Sequence, residues 1–455
     1  SMKAKATSLR SGISLAENAT LRYIIFIALY FSQGIPEGIT LFVIPAWMAM
    51  NGKSAVEIAS YSAIVLIPTS MKILLAPMIE KYTYLPMGRR RPWLLFGQFG
   101  ILCSVVSLSF IHNPLNNISI ITTVVLFVHI FVMFQDIATD SLAIDIVPLE
   151  QQGKTNSFMW GAKTVGTSAS FFFGSWLTNN YGFSDAVLLM SIPVLLIIFI
   201  PLLTRERKGE KLHPWSKGET SAATALISVD SWGKLFKSFK QVVMLRNVLL
   251  LLTTGFLLMA AIHFMRTMLP IFTIQELSWT NVYYSKIYST SNLLGGIVGM
   301  IVGAFVIQRF GVIRLMQGSL ILIVILAITM TMIPTLWSDT TFVCTYIALL
   351  CTFFTLTNIG ILALAMQLCW KRISALQFTL CMTIYNLGLA AGAAFLGTMR
   401  VHFSWQVLFA VFAMMMIFVM IILMQIKTKK HSERIDQLEQ QYLAVVQKEA
   451  SLLTQ

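Results

Sequence analysis

The sequence predicts an all-α membrane protein with twelve transmembrane helices in two pseudo-symmetric six-helix bundles. Three observations lead there. The 455-residue chain is 56% hydrophobic and 11% charged, with a mean hydropathy of +0.76, whereas a soluble domain carries roughly 25% charged residues. Apolar runs long enough to cross about 30 Å of hydrocarbon recur twelve times. One long polar stretch, 204–245, divides the first six from the last six. An ordinary soluble enzyme, a secreted disulfide scaffold and a disordered chain are excluded.

The elements follow in order. Residues 1–22 form a tail in which Lys3, Lys5 and Arg10 precede a long span, not a short apolar core with a cleavage site, so no removable leader is expected. The first bundle, 23–203, contains spans 23–50, 55–79, 92–112, 118–143, 155–178 and 184–203. Span 1 is interrupted at Pro36–Gly38, where a helix can loosen. In the linker, 204–245, Trp232, Leu235, Phe236, Phe239 and Val243 fall on one helical face and Lys234, Lys237 and Lys240 on the other. That pattern predicts an amphipathic helix lying apolar side down on the inner leaflet. The second bundle, 246–426, contains spans 246–274, 280–308, 312–334, 340–369, 373–400 and 404–426. Gly295, Gly299 and Gly303 give span 8 a small face for close packing. The tail, 427–455, sets Ile435, Leu438, Tyr442 and Val446 at helical spacing among mixed charges and reads as a solvated amphipathic helix. Cys103, Cys344, Cys351, Cys369 and Cys381 lie in or beside apolar runs without a CxxC, so they read as packing residues and no disulfide or metal site is expected.

Charge fixes the expected orientation. With the N-terminus inside, four Lys or Arg fall in the N-terminal tail, four in the 2–3 loop, one in the 4–5 loop, nine from 204 through Arg246, two each after spans 8 and 10, and five in the C-terminal tail. Only Lys53, Lys286 and Arg400 fall on the opposite side. Cytoplasmic loops collect Lys and Arg, so both termini are expected inside. The same rule accounts for the net charge of +14 without nucleic acid.

A loop pattern occurs twice. Ala76, Glu80 and Lys81 are followed by Gly88-Arg89-Arg90-Arg91; Ala304, Gln308 and Arg309 are followed by Gly311 and Arg314. A small residue lets helices approach, and an acid beside a basic turn can latch them at the cytoplasmic face. This resembles the loop signature of the major facilitator superfamily, with Ala76 for its first glycine, Glu80 for aspartate and an insertion at 82–87. The expected latch is Glu80 with Arg89 and Arg90, joined by Asp140 or Asp145, which could instead meet substrate. A narrower resemblance rests on Gln33-Gly34-Ile35-Pro36, Lys72 with Ala76-Pro77, Gln135-Asp136-Ile137-Ala138-Thr139-Asp140, and Ser374-Ala375-Leu376-Gln377-Phe378. Together these are similar to the AmpG muropeptide permease and acetyl-coenzyme A transporter family, from which Glu37 and Lys163 depart. The resemblance implies a bacterial inner-membrane protein and an anhydromuropeptide substrate, with an acyl-coenzyme A or a siderophore as alternatives.

Ionisable groups inside spans cost roughly 2.5–3.5 kcal/mol on insertion scales, so each must face a partner or a wet cavity. Glu37, near mid-depth in span 1, reads as a proton-titrating or substrate-contacting carboxylate, or as one locked to a neighbouring helix. Lys72, Asp136 and Lys163 share a depth and form either a structural ion-pair triad or a cavity wall that an anion competes for. Arg266 in span 7 either grips a carboxylate or phosphate in a fork or snorkels outward. Asn358, Gln367 and Asn386 add hydrogen-bonding groups to spans 10 and 11. The expected proton-coupling groups are Glu37 and Asp136; the expected substrate ligands are Lys72, Lys163, Arg266, Asn358 and Asn386.

Gly153-Lys154-Thr155 imitates the end of a phosphate-binding loop, but position 148 is Pro and no strand precedes it. No nucleophile, metal or cofactor pattern stands out. The expectation is therefore a monomeric secondary transporter, a proton symporter for a polar anionic small molecule, and not an enzyme. A membrane-embedded enzyme or a non-transporting sensor is the alternative from another class.

Overall fold

The computed structural model describes residues 14–453 apart from 54–56, 58–59, 62–63, 66, 230 and 280. Its membrane helices are numbered α1 to α12 in chain order. Helix α1 spans Ala19–Gly38 and continues through a widened turn, Ile39–Val43, into Ile44–Met50. Asn18 caps its start, its side chain accepting from the Leu21 amide. The widened turn begins just past Pro36, where the Thr40 hydroxyl donates to the Pro36 carbonyl at 2.7 Å. Helix α2 is described as Ile67–Ser70 and Lys72–Lys81, broken at Met71; the outer part of span 55–79 falls partly outside the described residues. Then come α3 Arg91–Leu108, α4 Ile118–Ile146, α5 Leu149–Tyr181 and α6 Phe183–Leu203. In the second half, α7 is Arg246–Gln275, and α8 runs Asn281–Val298, a second widened turn Gly299–Gly303, and Ala304–Phe310. Helices α9 Val312–Met332, α10 Thr340–Gln367, α11 Ser374–His402 and α12 Trp405–Leu423 complete the set.

Ten of these helices are long and apolar enough to cross a membrane, by length and composition alone. The other two are the interrupted α2 and α5, whose 33 residues include Lys154, Asn156 and Lys163. That polarity has a destination. Helix α5 packs on α8 and α10 of the second half, and the fully buried Asn156 amide donates to the Ile359 carbonyl on α10 at 2.8 Å.

Pairings in the first half recur six helices later. Helix α1 lies on α5, and α3 on α4 and α6; α7 lies on α11, and α9 on α10 and α12. The tightest crossings are made backbone to backbone by glycine. A Cβ on Gly34 would stand 2.5 Å from the Thr167 nitrogen on α5, and one on Gly388 would collide with the Phe256 carbonyl on α7.

Linker and tail differ from expectation. The linker helix Trp232–Val243, capped by Ser231, buries Leu235 and Val242 completely among Ala76, Ile79, Ala375 and Leu376. Leu235 and Val242 therefore pack on α2 and α11, while Phe236 of the same apolar face stays exposed. The tail helix Thr428–Leu453 is not merely solvated: Leu438 joins the same cluster and His431 is buried against the Leu368 carbonyl at 2.8 Å. An amphipathic pattern shows that a face will be covered, and does not show by what.

Upstream of these helices the linker folds onto the first half. The Arg91 guanidinium donates to the carbonyls of Pro201, Leu202, Lys211 and Leu212 at 2.6–3.1 Å. Glu206 accepts from the Arg90 and Arg91 amides. Glu210 accepts from the hydroxyls of Ser221 and Thr224, and burial, with Glu206 nearby, pushes its carboxyl above the ordinary range.

Candidate functional site

Four helices of the first half project charge into the space between the halves. On α1, Tyr30, Gln33 and Glu37 lie three and four residues apart; on α4, His129, Asp136 and Asp140 lie seven and four apart, so each set shares a helix face. Helix α2 adds Lys72 and α5 adds Lys163. Lys72 Nζ is ion-paired with Asp136 and lies 3.9 Å from Asp140. Gln33 Nε2 donates to Asp136 at 2.6 Å, and the Tyr30 hydroxyl donates to Asp140. Lys163 Nζ lies 3.2 Å from Glu37 and 5.3 Å from the Trp160 ring centroid. His129 Nε2 meets the Thr40 hydroxyl at 3.0 Å.

These groups line a cavity of about 240 Å³ that Met382 and Asn386 of α11 close from the second half. A second cavity, about 510 Å³, is lined by Arg266, Asn292, Thr355 and Asn358. The two cavities share Glu37, Trp160 and Lys163, so the Glu37–Lys163 pair is the wall between them. Arg266 is half-buried and makes no salt bridge or hydrogen bond among the described residues, and its Nε is left without a partner.

A second cluster lies at the end that carries the start of α1, the linker and the tail helix. Arg89 and Arg90 are fully buried. Both pair with Glu80, and Asp145 lies 3.3 Å from Arg89 and 2.9 Å from Arg90. The cluster also crosses to the second half. Arg89 donates to the carbonyls of Lys371 and Arg372, Arg90 donates to the Ser374 hydroxyl at 3.0 Å, and Ser374 donates to Asp145 at 2.6 Å. Glu80 accepts from the Ala375 and Leu376 amides, which puts a carboxylate on the N-terminus of α11. Burial and the neighbouring Arg90 lower the Arg89 pKa. At Arg90 burial opposes the charge, and Glu80 and Asp145 outweigh it, raising the pKa. Glu439 of the tail helix then binds Arg372 and the Trp370 indole.

Several expectations are corrected. Asp140 is not part of the latch: it stands on the cavity face, held by Tyr30 and near Lys72, while Asp145 alone of the two meets the arginines. Lys72, Asp136 and Lys163 do not close into one triad, because Lys163 takes Glu37 as its partner. Glu37 therefore has a base, supplied by another helix. The second loop copy is no latch, since Gln308, Arg309 and Arg314 are exposed. Sequence reasoning missed the roles of Tyr30 and His129, although the spacing that links them to Glu37 and Asp136 was there to be read. It also missed why Ser374 and Gln377 recur in one motif. Ser374 bridges the halves, and Gln377 satisfies the Trp370 amide and the Leu368 carbonyl in the 10–11 turn.

The sequence model described as Major Facilitator Superfamily matches residues 26–392. The chain belongs to the major facilitator superfamily. Among its relatives, the anhydromuropeptide permease of Escherichia coli K12 is 24% identical over 294 residues, 64% of this chain and 57% of the permease. An uncharacterized Haemophilus influenzae protein is 25% identical over 179 residues, 39% of this chain and 42% of that protein. The chain thus spans about half the length of these two relatives. A putative transporter AmpG 3 of Rickettsia prowazekii aligns more fully, at 24% identity over 83% of this chain and 89% of its own. In fold, the superfamily transporter FucP in its outward conformation superposes with a TM-score of 0.65 at 10% identity, covering 89% of this chain and 98% of that one. An outward-facing bacterial homologue of the iron transporter ferroportin gives 0.65 at 13% identity, over 91% and 100%. This superfamily member is accordingly a multi-pass membrane protein of twelve helices in two bundles, and its resemblance is to the AmpG-like branch.

Proposed function

We propose that this protein is a secondary transporter that carries a polar, anion-bearing small molecule across a bacterial cytoplasmic membrane, coupled to protons and acting as a monomer. One observation carries the reading. The interbundle cavity contains a base, Arg266, that no acid neutralises among the described residues, while Lys72 and Lys163 are already paired. A guanidinium with an empty fork suits a carboxylate or phosphate. Asn358 lines the same cavity, Lys163 stands in the wall between the two, and Asn386 lines the first. The names of the relatives support an anhydromuropeptide, whose peptide carries carboxylates.

The proposed cycle is alternating access. The charge distribution supports placing the termini, the linker and the Arg89–Arg90 latch on the cytoplasmic side. In that orientation the latch, tying the bundles through Lys371–Leu376, holds the cavity closed to the cytoplasm. Glu37 and Asp136, each on a lysine, are positioned to exchange partners as substrate or protons arrive.

Purified protein in liposomes decides the matter. Uptake of an anhydromuropeptide, accelerated by acid outside and lost in Arg266→Ala, is the expected result. Uptake of a neutral analogue as fast as of the anion, in wild type and variant alike, would overturn the anion reading. Preferential uptake of an acyl-coenzyme A or a ferric siderophore would keep the mechanism and replace the substrate.

A further inference from the structure

The cavity holds three acids from the first bundle and two lysines. Glu37 has Lys163 to itself at 3.2 Å. Asp136 and Asp140, one turn apart on α4, share Lys72: Asp136 in direct contact and Asp140 at 3.9 Å. The second contact of Asp140 is the neutral Tyr30 hydroxyl, and its side chain is 6% exposed. Two carboxylates crowded on one ammonium do not both ionise cheaply.

We propose that Asp136 and Asp140, bridged by Lys72 and Tyr30, are the proton-binding site of the transport cycle, with Asp140 the group that gains and loses the proton. The proposal rests on the proton-coupled reading above and transfers the role from Glu37. The groups facing the pair come from five helices and carry both signs. Helix α1 presents Tyr30, Gln33 and Glu37; α2 presents Lys72; α4 adds His129; α5 presents Lys163; Cys369 in the turn after α10 is within electrostatic reach; α11 offers the uncharged Asn386. No second base is in contact with Asp140 to compensate its charge among the described residues.

The position also links the proton to the gate. Lys72 opens the segment Lys72–Lys81, which follows the break at Met71, contains Pro77 and carries Glu80 near its other end. Eight residues of helix separate them by about 12 Å. With Asp140 ionised, Lys72 is drawn towards both carboxylates. With Asp140 neutral, Lys72 answers to Asp136 alone. The segment that moves with Lys72 presents Glu80 to Arg89, Arg90 and the start of α11. The proton is taken from water in the cavity and returned to it, with no other bond made or broken.

The test uses the full chain in liposomes and the proton as ligand. Infrared difference spectra between acid and neutral buffer report the protonated-carboxyl stretch, and pH-driven uptake is measured on the same preparations. A carboxyl band should be present in wild type, lost in Asp140→Asn, and retained in Glu37→Gln. Tyr30→Phe, which keeps all charges and most of the packing, should move the band's midpoint to higher pH because the carboxylate loses a donor. A band that survives Asp140→Asn and vanishes in Glu37→Gln, or a midpoint unmoved in Tyr30→Phe, overturns the site. Wild type with no pH-driven uptake overturns the coupling itself, and that outcome is read independently of the band.

Discussion

Replacing Ser374 with alanine should loosen the contact between the bundles while leaving each bundle intact. Ser374 is fully buried and makes two bonds to charged groups of the other half: it donates to Asp145 at 2.6 Å and accepts from Arg90 at 3.0 Å. Such bonds are worth about 1.5–3 kcal/mol each. The full sum overstates the loss, because Arg90 and Asp145 stay paired with each other at 2.9 Å and are not left bare. A net cost of about 2–3 kcal/mol follows, which at about 1.4 kcal/mol per tenfold shifts the closed-to-open equilibrium by about 30–150-fold. The Glu80 bonds to the α11 amides remain, so the latch weakens without vanishing. Cys369, buried at the end of α10 beside this seam, is the reporter. Its alkylation rate, followed by peptide mass spectrometry, should rise by that factor. Ser141→Ala, which removes a hydroxyl bonded only within α4, should leave the rate alone. An unchanged rate in Ser374→Ala, or an equal rise in Ser141→Ala, would refute the view that the seam holds the bundles shut.

Three further outcomes are expected. Arg266→Lys keeps charge but not the fork, so substrate affinity should fall by about tenfold, the loss of roughly one charge-assisted bond, in equilibrium binding. Gly34→Ala drives a Cβ into the α5 backbone at Thr167 and Gly166, so α1 must move off α5, costing about 1–3 kcal/mol as other forced close contacts do; thermal unfolding in detergent should show it, and Glu37 should separate from Lys163. His431 is buried against Leu368, and burial lowers its pKa. The folded state then binds fewer protons than the unfolded one, so its docking contribution is present above about pH 6.5 and is lost as pH falls below that value. Hydrogen exchange of the tail helix, corrected for intrinsic rate, should quicken on acidification, and His431→Gln should abolish that response.

The twelve helices were legible because a bilayer dictates how long an apolar run must be, and because charge in the loops marks which runs belong to which side. Partners were not legible. Glu37 and Lys163 were each conspicuous as ions in a span, but only the α1–α5 crossing at Gly34 and Gly166 brings them to 3.2 Å. Asp140 and Asp145 illustrate the limit of spacing. Five residues of helix are about 7.5 Å of rise, enough to put one acid in the cavity and the other in the latch. The repeated loop motif was visible twice, yet only the first copy has a folded linker and an α11 N-terminus to bury it.

The way Arg91 is satisfied has a mechanical meaning. Two carbonyls at the end of α6 and two of the linker, Lys211 and Leu212, converge on its guanidinium, and Glu206 and Glu210 tie the next turns down, so the chain from 204 to about 227 travels with the first bundle. The linker helix that starts at Trp232 rests on both halves. What is left to pay out between them is residues 228–231, a covalent reach of about 14 Å at 3.3–3.6 Å per residue. The nominally long connection is thus a short leash, and it limits how far the halves can rock apart while that anchorage holds. Lengthening the chain near Gly218 would add no travel, because the extra residues fall upstream of the anchor. Lengthening it between Ile227 and Trp232 would.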